Sequence, residues 1–438
     1  MRSRSVGDDL TEGTGNQLVQ LVDLMRRNRD FRLLFLGSIV SFLGDWFALV
    51  AVAGLVKELT GSEGATAWVF AAEVLPIFFL SPFAGVLADR LDRKKLMILS
   101  ALLRVVPALG LVAASQLGQA WLAYVCVASI SALAAFYEPI ASAVLPNVVD
   151  EEDLSLAMTV FGSVWGTMLF VGAALGGAAA AAFGREASFL LNAGTFVVTA
   201  GLLWTIRRPF NAGRVAAPAS VLTHLTEVWD FVRPRKVTRA FLVTKTGVGV
   251  GNGVVGLLPV FAVDRFAAGD AGIGILLAAR GLGALIGPYI GRRLHRDDGR
   301  RLVFWCGASI VAYAIAYLFL PFVTGLWVAA GLIVFAHAGG GNQWISSTYG
   351  LQLTTPDAVR GRIMSLDFGL ATLAMGLSAI LAGVIAEFAG LDVAVWTLAA
   401  FAFVYGSGWL AWTRDLWGAD EDPVVRAPRG DVAAAVEP

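Results

Sequence analysis

Eight ionisable side chains interrupt the long apolar segments of this 438-residue sequence. A charged group at the centre of a bilayer costs about 3 kcal/mol, so one that is present there marks an ion or substrate pathway. A carboxyl group in such a place can exchange a proton, and a neighbouring cation can hold it ionised. The eight residues are Asp45, Glu73, Arg104, Glu138, Lys245, Arg280, His337 and Asp367.

The apolar segments that must position these charges identify the class of protein. Hydrophobic residues make up 57% of the chain and charged residues 15%, and the mean hydropathy is +0.71. This composition excludes a soluble domain, because too few polar residues remain to cover its surface. At about 20 residues for each span, we predict twelve membrane helices, near 33–56, 65–88, 96–114, 120–143, 156–182, 187–206, 240–263, 271–291, 302–320, 325–348, 364–387 and 393–413.

The longest internal polar segment divides the predicted spans into two sets of six. Shifting the first set by 207 residues aligns Gly44-Asp45 with Gly251-Asn252, which suggests an internal duplication. The predicted organisation is therefore a tail, a six-helix bundle, a linker, a second six-helix bundle and a tail, at 1–32, 33–206, 207–239, 240–413 and 414–438.

Lysine and arginine are distributed unevenly among the connections. Most of the 33 lie in the tails and alternate loops, whereas the other loops contain only Lys57, Arg185 and Arg265. The positive-inside rule therefore places both termini in the cytoplasm. The acidic loop 150–153 is an exception to this pattern. The net charge of zero gives no reason to expect a nucleic-acid partner.

A short charged loop follows the second predicted span, and its residues resemble a family signature. The major facilitator superfamily has a cytoplasmic G-x-L-A-D-R-x-G-R loop. Here Asp92 replaces the second glycine, as in the branch that contains macrolide-efflux proteins and the enterobactin exporter. The residues that match are Gly85, Leu87, Ala88, Asp89, Arg90, Arg93, Lys94 and Lys95.

Further segments resemble the same branch, from about Asn28 to Ala411. They include Asn28-Arg29-Asp30-Phe31-Arg32, Leu145-Pro146-Asn147, Leu191-Asn192-Ala193-Gly194 and Arg360-Gly361-Arg362. The resemblance implies an all-α fold of two pseudo-symmetric six-helix bundles and drug:proton antiport. The chain departs from the family pattern at Gly291, which replaces the acidic residue of the second-half loop. It also departs in the fifth span, where the glycines 172, 176 and 177 lack the proline of the antiporter motif.

The charged loop predicts a gate. Asp89 can accept hydrogen bonds from the other half or pair with an arginine before the eleventh span. Alternatively, the basic residues only fix topology and bind anionic lipid. The candidate gating residues are Gly85, Asp89, Arg90, Arg93, Arg360 and Arg362.

We expect the residues that couple transport to protons to lie near the middle of the membrane. At about 1.5 Å for each residue, Asp45, Arg104, Arg280 and His337 lie roughly 14–20 Å from the predicted cytoplasmic ends. We expect Asp45 to exchange the proton and Arg104 to favour its ionised form. The alternative is a static ion pair that fixes helix register. Glu73 and Glu138 are the next candidates for proton exchange.

A second set of residues is predicted to line the substrate cavity. Lys245 and Arg280 would attract an anionic group, unless Glu138 and Asp367 neutralise them. A single histidine also fits a packing role, and aromatic residues also fit contact with lipid. The candidates are Trp46, Phe136, Tyr137, Lys245, Asn252, Arg280, His337, Trp344 and Asp367.

The glycine-rich strings lie within apolar helices, and the chain has no Walker lysine loop. We therefore expect no ATP, no metal and no cofactor, with a proton gradient as the energy source. The predicted function is not enzymatic. It is proton-coupled efflux of a bulky amphipathic antibiotic or siderophore by a monomer, in contact with lipid, in a bacterial cytoplasmic membrane. An importer, a lysophospholipid translocator or a non-transporting membrane sensor is the alternative.

Overall fold

A computed structural model describes residues 19–210, 221–296 and 298–424, without the side chains at 82, 84–86, 88–90, 221–225, 227 and 358. Within these ranges the regular structure is helical, and twelve long helices confirm the predicted all-α fold. In chain order, α1 to α12 are Arg29–Thr60, Glu63–Arg90, Arg93–Leu117, Ala120–Ala143, Glu151–Phe183, Arg185–Trp204, Lys236–Arg265, Gly269–His295, Gly299–Phe319, Leu326–Thr354, Asp357–Ala389 and Leu391–Trp412.

The tenth helix is less apolar than the others. Eleven helices carry a stretch long and apolar enough to cross a membrane, and α10 is the exception among the twelve. Its polar side chains are buried against α8 and α9, so they meet protein and not lipid. These inward-facing residues are His337, Asn342, Gln343, Ser346 and Ser347.

The two sets of six helices repeat with a nearly constant spacing. Helix α1 begins at Arg29 and α7 at Lys236, 207 residues later. Each of the other five helices begins 206 residues before its counterpart in the second set. This spacing supports an internal duplication. The two bundles meet where α2 packs on α11 and where α5 packs on α8.

The helices run between two opposite ends of the molecule. The terminal end carries residues 19–28 and the last turn of α12, and the distal end is the opposite one. At the terminal end a helix over Val221–Val232 follows the first bundle. Its Val228 and Val232 pack against Phe241 of α7. The predicted linker therefore contains a docked helix that its polar composition did not indicate.

The terminal end of the first bundle is tied together by charged residues. Asn28 donates to the carbonyl of Val148 at 2.8 Å, and Asp30 accepts from the backbone N–H of Arg208 at 2.9 Å. Arg27 pairs with Asp153 at 2.5 Å. The acidic loop is thus neutralised by arginines of neighbouring segments. This pairing explains why the loop carries no basic residue of its own.

Helix α7 is interrupted in its middle. It consists of Lys236–Gly251 and Val254–Val260, followed by a π-helical turn. The N–H of Gly253 donates to Ser378 Oγ at 2.9 Å, and this hydroxyl donates to the carbonyl of Val250. A Cβ at position 253 would lie 2.2 Å from the Ser378 carbonyl oxygen, so only glycine fits. The serine supplies the hydrogen bonds that the break removes.

Glycines allow the two bundles to approach closely. A Cβ on Gly177 of α5 would lie 2.5 Å from the Cα of Gly274 on α8. At the opposite contact, a Cβ on Gly64 of α2 would lie 2.5 Å from the carbonyl oxygen of Gly383 on α11. Gly177 and Gly383 are 206 residues apart, so the duplication reproduces the same contact on both sides of the molecule.

We predict that Gly177→Ala lowers the melting temperature of the purified protein. The added methyl group meets backbone atoms that cannot rotate away, and such overpacking costs about 1–3 kcal/mol. Gly194→Ala is the matched control, since no atom lies within 4 Å of its added Cβ. Equal melting temperatures for the two variants would show that the bundles do not depend on this contact.

Candidate functional site

Asp45 and Arg104 form an ion pair inside the first bundle. Arg104 Nη1 on α3 lies 3.5 Å from Asp45 Oδ2 on α1 and donates to Ser41 Oγ at 3.3 Å. The guanidinium also covers the rings of Tyr137 and Phe196, at 5.1 and 4.6 Å from their centroids. The Arg104 side chain is 1% exposed and that of Asp45 is 28% exposed. The cation is therefore fixed, whereas the Asp45 side chain is partly exposed although its Oδ1 is buried.

Small residues bring Asp45 to this place. A Cβ on Gly44 would lie 2.0 Å from Thr195 Oγ1, so α1 approaches α6 closely at the residue before Asp45. On the next residue, Trp46, the indole ring faces Gly172 and the carbonyl faces Gly176, both on α5. The glycines of the fifth span thus act as contact points that hold this turn of α1.

Two further carboxylates lie within electrostatic range of Asp45. Glu73 on α2 and Glu138 on α4 both interact with it, and Glu73 also interacts with Glu138. All three are only partly buried. Asp45 Oδ1 and Glu73 Oε2 have no hydrogen-bond partner in the described part of the chain. We call Asp45, Glu73 and Glu138 the acid cluster.

Arg280 reaches the acid cluster from the second bundle. Its guanidinium lies over the ring of Phe70 on α2, 5.6 Å from the centroid, and it interacts electrostatically with Glu73. The two charges belong to different bundles, so this interaction crosses the interface between them. The structure therefore brings together Asp45, Glu73, Arg104, Glu138 and Arg280.

Lys245 and Asp367 form a separate buried pair that joins α7 to α11. Lys245 Nζ also donates to Thr348 Oγ1 at 2.8 Å and lies 5.0 Å from the centre of the Trp344 ring. The side chains of Lys245 and Asp367 are 3% and 1% exposed. The sequence allowed neutralisation of Lys245 by Asp367, and the structure contains that pair.

His337 and Asn252 lie in a third polar group, inside the second bundle. His337 Nε2 is 2.8 Å from the Tyr317 hydroxyl, and the Tyr313 hydroxyl donates to Asn252 Oδ1 at 3.5 Å. All four side chains are buried. This arrangement matches the packing role that the sequence allowed for a single histidine. Of the aromatic candidates, Trp46, Phe136 and Trp344 are partly exposed, and Tyr137 is buried.

The predicted gating loop is described only in part. Asp92 caps α3 and accepts from the N–H of Lys95 at 2.9 Å, which gives an aspartate a structural role at the glycine position of the family motif. Arg360 pairs with Asp357 of its own helix, and both Arg93 and Arg362 have contacts. The side chains at Gly85, Asp89 and Arg90 lie outside the described residues, so a latch at Asp89 stays a prediction.

The structure adds a set of contacts at the distal end that sequence reasoning missed. Lys57 of α1 pairs with Asp264 of α7 at 2.6 Å, and Arg185 of α6 pairs with Asp270 of α8 at 2.9 Å. Both pairs join the two bundles, and we call them the distal pairs. The third basic residue of these loops, Arg265, pairs with Asp392 at 2.7 Å inside the second bundle.

A signal for the distal pairs was present in the sequence. Three basic residues are unusual in loops that otherwise exclude them, and all three form ion pairs between helices. Pairing could therefore have been expected, but the partners could not. Each acidic partner is distant in sequence: Asp264 and Asp270 are brought close when the bundles meet, and Asp392 when the second bundle folds.

Comparison with known proteins agrees with the arrangement of helices and charges. Residues 25–437 match the family model of the transmembrane secretion effectors. The chain is 28% identical to the uncharacterized MFS-type transporter YfiS of Bacillus subtilis, over 85% of this chain and 90% of that protein. It is 26% identical to the multidrug efflux pump Tap of Mycolicibacterium fortuitum, over 82% of this chain and 90% of that protein.

Among solved structures, the nucleoside transporter NupG superimposes with a TM-score of 0.66 at 16% identity, over 87% of this chain and 98% of that chain. At this identity the likeness shows the fold alone. The match to the family model covers nearly the whole chain, and the fold is that of a multi-pass membrane transporter. The chain belongs to the transmembrane secretion effector family of the major facilitator superfamily.

Proposed function

We propose that the protein is a proton-coupled exporter of bulky amphipathic small molecules, and that Asp45 is the residue that exchanges the proton. The observation that carries this proposal is the asymmetry of the Asp45–Arg104 pair, in which a fixed, buried cation faces an aspartate whose side chain is 28% exposed. Transport by this route requires no ATP and no cofactor. The proton gradient is the energy source.

The contacts of Arg104 support this assignment. Ser41, Tyr137 and Phe196 surround the guanidinium, so it cannot follow a substrate or leave the site. Only the carboxylate can change its state. When Asp45 binds a proton, the attraction to Arg104 is lost and α1 is free to shift relative to α3. Glu73 and Glu138 interact electrostatically with Asp45 and are the next candidates for proton exchange.

Export is favoured over import by the relatives and not by the geometry. Tap is named a multidrug efflux pump, and Asp45 with Arg104 would couple movement in either direction. An importer or a lysophospholipid translocator therefore remains the alternative. A comparison of resistance and exported metabolites between a deletion strain and an overexpressing strain separates export from import and identifies a substrate.

We place the protein in the bacterial cytoplasmic membrane with its terminal end in the cytoplasm. The distribution of lysine and arginine supports this orientation, because most of them lie at the terminal end. The distal pairs would then face the outside. The protein would alternate between a state held by these pairs and a state held by the Asp89 loop.

We predict that Asp45→Asn abolishes proton-driven transport while downhill exchange of substrate persists. The amide keeps the size of the side chain but cannot bind and release a proton. The compound to which overexpression confers the largest tolerance would be added outside everted membrane vesicles with an acidified lumen, and proton release from the lumen would be followed with a pH-sensitive dye. Asp415→Asn, at an exposed pair with Lys236, is the matched control. Unchanged proton release by Asp45→Asn would remove Asp45 from the mechanism.

The Lys245–Asp367 pair allows a structural role to be separated from substrate binding. Neutralising one partner leaves a buried charge alone, which costs about 3–5 kcal/mol, whereas neutralising both costs far less. We therefore expect Asp367→Asn alone to lower the melting temperature more than Lys245→Met with Asp367→Leu. A stable double variant that transports normally identifies the pair as structural, and a stable but inactive one places it in the substrate cavity.

We predict that the two gates shift the conformational equilibrium in opposite directions. Asp270→Asn removes a charge-assisted bond of the distal pairs and should favour the distal-open state about tenfold. Asp89→Asn should favour the opposite state. Electron paramagnetic resonance distances between labels at Gln119→Cys and Thr324→Cys would report both shifts, and the native cysteines are buried and do not interfere. A shift in the same direction for both variants would contradict a two-gate mechanism.

A further inference from the structure

Glu73 and Arg280 occupy the same depth on opposite sides of the bundle interface. Both helices start at the distal end, and the two residues lie ten and eleven residues from the starts of α2 and α8. At 1.5 Å for each residue, both are about 15 Å from the distal end. Phe70 lies one helical turn before Glu73, and its ring contacts the Arg280 guanidinium. The two charges therefore face each other near the middle of the membrane.

The two side chains do not satisfy each other. Glu73 Oε2 and Arg280 Nε are buried and have no hydrogen-bond partner among the described residues. Their electrostatic interaction acts through space and not through a bond. A buried polar atom of a charged group without a hydrogen-bond partner is costly, so the arrangement favours a ligand that pairs with both groups.

The backbone around each charge is fixed by close packing. A Cβ on Gly281, next to Arg280, would lie 2.4 Å from the backbone of Leu169 on α5. On the other side, Leu75 lies against α11, where a Cβ on Gly376 would be 2.3 Å from it. The two charged side chains thus extend from helices that pack closely on α5 and α11. Such a preformed site binds without a large cost of ordering.

We infer that Glu73 and Arg280 form the polar part of the substrate site and select zwitterionic compounds, with the ammonium group bound by Glu73, the carboxylate bound by Arg280 and an apolar body packed against Phe70. This inference rests on the proposed transport function and names its substrate class. A zwitterion satisfies both charges. An anion leaves Glu73 unpaired, and a cation leaves Arg280 unpaired, so each is disfavoured.

The experiment compares three charge forms of one molecule. The probes are dipeptides of an aliphatic and an aromatic residue with free termini, their N-acetyl derivatives, which are anions, and their C-terminal amides, which are cations. Binding to the purified full-length protein is measured by calorimetry at equilibrium without a gradient. We expect the zwitterions to bind at least tenfold more tightly than either blocked form, because each lost charge-assisted bond weakens binding by about that factor.

Two single substitutions, and a double substitution that swaps the two charges, test which group of the zwitterion each residue binds. Glu73→Gln should remove the preference for a free ammonium group, and Arg280→Gln should remove the preference for a free carboxylate. The double variant Glu73→Arg with Arg280→Glu should regain binding of the zwitterions, since the same molecule fits in the reversed orientation. Lys236→Gln, at an exposed pair far from the site, is the control.

The inference is overturned if the zwitterions do not bind, if the three charge forms bind equally, or if neither single substitution changes the preference. A double variant that binds nothing although both single variants bind would also contradict it. Since binding is measured without a proton gradient, these outcomes test the substrate site and not the coupling of transport to protons. Failure of the proposed coupling would appear only in the vesicle measurements.

Discussion

The cost of leaving a charge unpaired in the membrane interior organises this protein. The eight ionisable side chains of the spans all interact with other helices. Arg104 pairs with Asp45 and Lys245 with Asp367, and Glu73 and Glu138 complete the acid cluster. Arg280 contacts Phe70, and His337 is hydrogen-bonded to Tyr317. Lipid cannot solvate these groups, so they can lie only where helices meet or where solvent enters. The charges therefore mark the contacts between helices, and the residues proposed to function in transport lie among them.

The two bundles differ in their charged residues although they have the same arrangement of helices. The first bundle keeps a partly exposed carboxylate beside a buried cation. At the aligned position the second bundle has Asn252, and its own ion pair is fully enclosed. The duplication thus provides a common scaffold, whereas the ionisable groups have diverged. One bundle carries the groups suited to proton exchange, and the other contributes Arg280 and the broken helix α7.

Sequence reasoning predicted the fold closely because membrane helices are defined by composition and length. The predicted spans agree with the observed helices to within a few residues at most ends. Where they differ, the helices mainly extend beyond the predicted spans at the terminal end, and α5, for example, begins at Glu151. The pairing of Asp45 with Arg104 was also anticipated from their similar depth. By contrast, the partners of Lys57 and Arg185 and the docked helix after the first bundle were not, since they depend on contacts between segments distant in sequence.

The sequence by itself determined that this chain crosses a membrane twelve times in two related halves, because the apolar spans and the 207-residue alignment are properties of the linear order. It also placed the ionisable residues in depth, since depth follows from counting residues along a helix. Only the tertiary structure decided which of them face each other, because the angular position of a side chain depends on how helices pack. Gly44 and Gly281 show the reason: each permits a close approach of two helices at the residue next to a charge, Asp45 or Arg280.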